Sequence, residues 1–160
     1  MPMIDLYHPE DAFTPDARAA LVEELTALLL EMEGAPDNPV SRTISWMFLH
    51  PLPRASFNIG GKTAPVPIYK VVFSVPQGTL KLHGPRTLPQ RDTLVKRATA
   101  AILKAEGAPD DAANRARVWT FLHEVPEGTW GGQGRLVGIR DISDFVTGTA
   151  AAAPREAVAA

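Results

Sequence analysis

The chain has no cysteine among its 160 residues, which excludes disulfides, thiolate metal sites and cysteine nucleophiles. It has almost no net charge, with 16 Lys and Arg against 18 Asp and Glu, so nothing draws it electrostatically to nucleic acid or an anionic membrane. No apolar run approaches the roughly 20 residues that span a bilayer, and no charged–apolar–small signal segment opens the chain. A cytoplasmic protein is the expectation. His8, His50 and His123 show no metal-ligand spacing. The glycines of NIGG and GGQG follow strand-like runs and open no helix, so no phosphate-binding loop is present. What remains is ordinary globular composition, 45% hydrophobic and 21% charged.

Within that composition lies a repeat. The pentapeptide EGAPD occurs at Glu33–Asp37 and again at Glu106–Asp110, an offset of 73. Carried forward, the offset pairs Arg42 with Arg115, Trp46 with Trp119, Phe48 with Phe121, His50 with His123 and Gly61 with Gly134. Over Glu33–Lys62 against Glu106–Arg135, 12 of 30 positions are identical, so the chain is a duplicated unit. The units are expected at 1–64 and 65–146, one compact domain overall, followed by a low-complexity tail at 147–160 that should fray.

Each copy reads as strand, helix, strand, hairpin. Met3–His8 alternates as a short strand. Thr14 followed by Pro15 signals an N-cap and a first-turn proline. Leu21, Leu25, Leu28, Leu29 and Met32 then recur at helical spacing until Gly34 ends the helix. Ile44–Leu49 is the second strand, and SFNIGGKTAP a glycine-rich hairpin. The second copy has a strand at Ile68–Val75, a capping-box spacing at Thr87 and Gln90, and a helix carrying Leu94, Val95, Ala98, Ala101 and Ile102. A strand at Val118–Val125 and the turn EGTWGGQGR complete it. Right-handed βαβ crossovers place both helices on one sheet face. The opposite face keeps Trp46, Phe48, Trp119 and Phe121 without a helix to cover them, which predicts oligomerisation.

A βαβ unit of this length, beginning at Pro2 and ending in FNIGGKTA, resembles the tautomerase superfamily, and GPRTLPQRDTL resembles the strand-to-helix turn of 4-oxalocrotonate tautomerase. The duplication and the PEGTWGG hairpin are similar to its fused bacterial members. These are related to macrophage migration inhibitory factor, malonate semialdehyde decarboxylase and cis-3-chloroacrylic acid dehalogenase. The resemblance covers about residues 2–140. It implies an α/β (α+β) fold of two tandem βαβ units, with a four-stranded mixed sheet and two helices on one face. It also implies a homotrimer with Pro2 at an inter-subunit pocket, a small carboxylate substrate and no cofactor.

Pro2 is the leading site residue. Removal of Met1, which a small second residue permits, would leave the chain's one free secondary amine. A free α-amine has a reference pKa near 8, and apolar burial beside a cation pushes it down toward a general base at neutral pH. Pro65 and Pro67 at the start of the second unit, the latter at an offset of 65 from Pro2, have amide nitrogens and cannot do this. By the resemblance, Arg86 binds the substrate carboxylate and Trp130, the mate of Phe57, forms the apolar pocket wall. Arg42 lies near the place of a further carboxylate-binding arginine, although its repetition as Arg115 favours a structural job. Lys81 and His83 precede Arg86 and are candidate lining residues. Phe121 and Gly132 stand where the cis-dehalogenase keeps a tyrosine and a water-activating glutamate, and the second-unit turn has Arg86 alone where relatives carry two arginines. A proline-dependent tautomerase acting on a small 2-oxo or enol carboxylate is therefore the first reading. A hydratase or decarboxylase of a three-carbon acid in the same pocket, or a non-catalytic trimeric binding protein, are the alternatives.

Overall fold

The structure is a computed structural model describing residues 2–80 and 87–148, with the backbone alone at 87–89. The first unit runs β1 (Met3–Pro9), α1 (Pro15–Glu33), a short α2 (Pro39–Thr43) and β2 (Trp46–Leu52). A small hairpin of β3 (Asn58–Ile59) and β4 (Lys62–Thr63) ends it. The second unit repeats this as β5 (Tyr69–Pro76), α3 (Thr87–Glu106), α4 (Ala112–Arg115) and β6 (Val118–Val125), then the hairpin β7 (Gly131–Gly132) and β8 (Arg135–Leu136). It adds α5 (Ile139–Thr147). The tail expected to fray lies outside the described residues from 149 on.

Side-chain alternation builds the sheet. Ile4 and Leu6 of β1 and Val71, Phe73 and Val75 of β5 turn inward and are buried, while Asp5, Tyr7, Lys70 and Ser74 alternate with them. The strand order is β2-β1-β5-β6, with β1 parallel to β2, β5 parallel to β6, and β1 antiparallel to β5. The sheet is thus mixed. α1 and α3 lie together against its inner face, where Leu21, Leu25, Leu29, Leu94, Ala98 and Ile102 complete the core. Arg97 to Glu31 (2.7 Å) and Lys104 to Glu24 (3.0 Å) tie the two helices across their exposed sides.

The ends of α1 follow local chemistry. Thr14 accepts the Ala17 N–H at 3.2 Å, and Gly34 closes the helix in the left-handed region at φ 69°. Three short helices were not anticipated. Asn38 caps α2 by accepting the Ser41 N–H at 2.8 Å, and Asp111 caps α4 by accepting the Asn114 N–H at the same distance. Because α2 occupies Pro39–Thr43 with Ile44 as its C-terminal cap, the second strand starts at Trp46 rather than Ile44.

The duplication is reproduced in three dimensions, with one correction to its register. Met3 pairs with Trp46 and Lys70 with Trp119, so β1 and β5 are related by 67 positions. The mate of Pro2 is therefore Tyr69, not Pro67. The outer sheet face stays open among the described residues. Trp119 is 67% exposed and Trp46 55%, with Phe48 and Phe121 beside them. Among the described residues no helix is long and apolar enough to cross a membrane.

The second unit contains a nearly buried ion pair. The Arg117 guanidinium donates to both oxygens of Glu106 at 2.9 and 2.8 Å and also to the Pro67 carbonyl at 2.6 Å. Side-chain exposure is only 11% and 13% for the two partners. Breaking a fully buried pair by removing one partner costs about 3–5 kcal/mol. Since water reaches a tenth of each side chain here, Arg117→Met should cost about 2–3 kcal/mol in urea unfolding. Arg115→Met, which breaks only the exposed pair with Asp110, should leave the midpoint almost unmoved.

Candidate active site

Because β1 is flanked by β2 and β5, the residue that leads into it is interior. Pro2 is buried, and its carbonyl accepts the Trp46 N–H at 3.1 Å. Beside it lies a cavity of about 250 Å³, the size of a small metabolite. Pro2 forms part of one wall, the end of α1 brings Glu33, and α2 brings Ser41 and Ile44. The turn after β5 contributes Thr79.

The remaining wall is α5. Ile139, Ile142, Ser143 and Val146 recur at helical spacing and face the cavity. The helix is anchored at its start, where Asp141 accepts the Gly138 N–H at 2.7 Å and Glu127 accepts the Ile139 N–H at 2.8 Å. The sequence reading supplied no further helix, so α5 is a correction to it. It covers this cavity and leaves the aromatic sheet face exposed.

Glu33 was also missed. It is half-buried, and burial pushes its carboxyl up to about 7, against the opposing pull of the positive chain terminus and the Thr79 hydroxyl. It is the one ionisable side chain among the described residues that line the cavity. In the sequence it stands as the first letter of a repeated pentapeptide, which suggests a structural role. The signal that distinguishes it lies at its repeat partner's cation: position 117 is arginine, whereas position 44 is isoleucine.

The expected site residues are dispersed. Arg42 donates to both oxygens of Glu23 at 2.7 Å and to both oxygens of Asp37 at 2.6 and 2.9 Å. Two carboxylates raise its pKa further, and the side chain does not line the cavity. Arg115 repeats the inner half of this arrangement with Asp110 at 2.6 Å. Trp130 is buried at the second hairpin, its carbonyl accepting the Val137 N–H at 3.3 Å, and it too lies off the cavity wall. Arg86, Lys81 and His83 lie outside the described residues. The histidines hold structural contacts: His50 Nε2 is 2.7 Å from Asp5 and its ring stacks on Tyr7, while buried His8 places Nδ1 2.8 Å from the Pro9 carbonyl. Burial lowers the His8 pKa.

The arrangement is a partly open, largely apolar pocket with a proline just ahead of β1 and a carboxyl of raised pKa. Residues 79–140 match the family model described as "Tautomerase enzyme". The comparison with curated proteins gave no sequence match. Among solved structures, the chain is similar to a fused 4-OT described as the F6 wild-type asymmetric trimer. The two are 18% identical with a TM-score of 0.63, over 84% of this chain and 94% of the other. It is similar at 18% identity and a TM-score of 0.64 to N1, a member of the cis-3-chloroacrylic acid dehalogenase family, over 84% and 82% of the two chains. Macrophage migration inhibitory factor from Toxoplasma gondii is 16% identical with a TM-score of 0.62, covering 84% of this chain and 99% of its own. The described architecture is thus the tautomerase-superfamily fold, and residues 79–140 are in addition similar in sequence to the tautomerase family model.

Proposed function

We propose that the chain is a tautomerase that moves a proton between carbon and oxygen of a small 2-oxo or enol carboxylate, with the Pro2 amine as general acid and base. The observation that carries this reading is the position of Pro2, buried at the wall of a partly open cavity of metabolite size. Once Met1 is removed, Pro2 offers a secondary amine whose reference pKa near 8 already suits proton transfer at neutral pH. The reaction consumes nothing but a proton that is returned, so no cofactor enters it.

A carboxylate substrate needs a cation, and the described residues on the cavity wall include none. Arg86 is our candidate. Pro76 and Thr79 line the cavity, and the chain reaches Arg86 seven residues after Thr79. A guanidinium there would hold the carboxylate bidentately. The exposed aromatic sheet face, together with the likeness to proteins described as trimers, supports a homotrimer. A pocket shared between copies would also let Trp130, which lies off its own chain's cavity, serve as the apolar wall for a neighbour.

Intact mass should show Met1 absent, and Pro2→Ala should slow ketonisation of phenylpyruvate or 2-hydroxymuconate by about a hundredfold or more. A near-wild-type rate would reduce Pro2 to a chain start. Arg86→Ala should weaken acidic substrates by about 2–5 kcal/mol and a neutral keto substrate much less, while Arg42→Ala should lower stability without altering substrate choice. The reverse pattern would move the carboxylate site to Arg42.

Light scattering at micromolar concentration should give about three times the 17.2 kDa chain mass. A monomer would remove the shared pocket.

A further inference from the structure

The two units treat one equivalent position in opposite ways. The repeat relates Glu33 to Glu106 and Ile44 to Arg117, and the strand register relates Pro2 to Tyr69. In the second unit the space is filled. Arg117 grips Glu106 with two hydrogen bonds, and the buried Tyr69 ring lies with them, its hydroxyl pKa pushed up by burial and by Glu106. In the first unit the arginine is Ile44 and the tyrosine is Pro2, leaving a chamber and a carboxyl whose structural cation has been lost.

We propose that Glu33 is the counter-ion of the Pro2 amine, a positioning residue that keeps this amine protonated at neutral pH so that Pro2 enters the reaction as a general acid. The inference rests on the reading of Pro2 as the working amine and adds the group that sets its protonation state. No other described side chain on the chamber wall competes for the role. α2 contributes Ser41 and Ile44, the turn after β5 contributes Pro76 and Thr79, and α5 contributes apolar side chains and two hydroxyls, none of them charged. The ammonium would replace in the first unit what the guanidinium supplies in the second. The backbone agrees with this exchange. The Tyr69 N–H donates to the Arg117 carbonyl at 2.8 Å, and by the same repeat the Pro2 nitrogen corresponds to a donor toward Ile44, an N–H that proline has only as a chain terminus.

The sign follows from the charges. A carboxylate beside an amine favours the ammonium, so the amine titrates higher with Glu33 than without it. The two groups titrate as a coupled pair, in which burial, which raises the carboxyl, is offset once the amine is charged.

The test is alkylation of the full-length protein by methyl vinyl ketone, an uncharged electrophile that reacts with the free amine. Rates are followed from pH 5 to 9 by intact mass and mapped to Pro2. Glu33→Gln should move the half-maximal pH down by about one unit and raise the rate near pH 7 up to about tenfold. Ile44→Arg, which gives the first unit the second unit's cation, should shift the profile the same way with Glu33 intact, and so remains informative if Glu33→Gln folds poorly. Wild-type profiles in both variants, or a retained Met1, would overturn the proposal. Labelling requires no turnover. Absence of turnover on every keto acid tried would remove the tautomerase reading and leave a shifted profile standing, whereas turnover with an unshifted profile would keep the enzyme and remove Glu33 from it.

Discussion

The antiparallel pairing of β1 with β5 is the constraint on which the rest of this molecule depends. It joins two βαβ units into one sheet and, because both crossovers have the same hand, puts α1 and α3 on the same side. It also makes β1 a central strand. A residue leading into an edge strand would be solvated, whereas Pro2, at the head of a strand between β2 and β5, is buried. Burial makes the protonation state of a terminal amine sensitive to its surroundings, since any charge it carries must be balanced locally.

Duplication supplied two copies of that buried position, and divergence at few residues separated their roles. The scaffold bonds were kept in both: the Asx caps at Asn38 and Asp111, and the arginine–aspartate pairs Asp37–Arg42 and Asp110–Arg115. The change is inside. Arg117, Glu106 and Tyr69 close the second position with an ion pair and an aromatic ring. Ile44 and Pro2 open the first, and α5, which has no counterpart in the first unit, lays its apolar side across it. One half thus stabilises the fold with the same carboxylate that the other half holds beside a chamber.

The outer sheet face carries a second consequence. Three of its polar side chains have contacts within the chain: Asp5 with His50, and the Lys70 ammonium 5.1 Å above the Tyr7 ring and 5.4 Å from that of Phe121. Beside those contacts the face offers aromatic surface, with Trp46 and Trp119 largely exposed. Contiguous apolar surface of this kind is costly to hydrate and is the feature expected of a face that meets other copies.

Much of the fold was legible in the order of residues, because it rests on local rules. The spacing of Leu21, Leu25, Leu28 and Leu29, the Thr14 cap and the Gly34 terminator define α1, and the helix observed is the helix expected. The offset of 73 revealed the duplication, and parallel crossovers then fixed the sheet. The proposal of Pro2 as the working amine starts from the same level, since the chemistry of a terminal amine belongs to the residue itself. Arg42 was not, because nothing in its sequence neighbourhood shows that Glu23, nineteen residues away, takes half of its donors. The true mate of Pro2 was hidden as well, since strand register depends on which residues face the core and not on the nearest proline. The surroundings of Glu33 were the least legible. How much water a carboxylate loses depends on which elements close around it, and only the meeting of α1, α2 and α5 in space decided that.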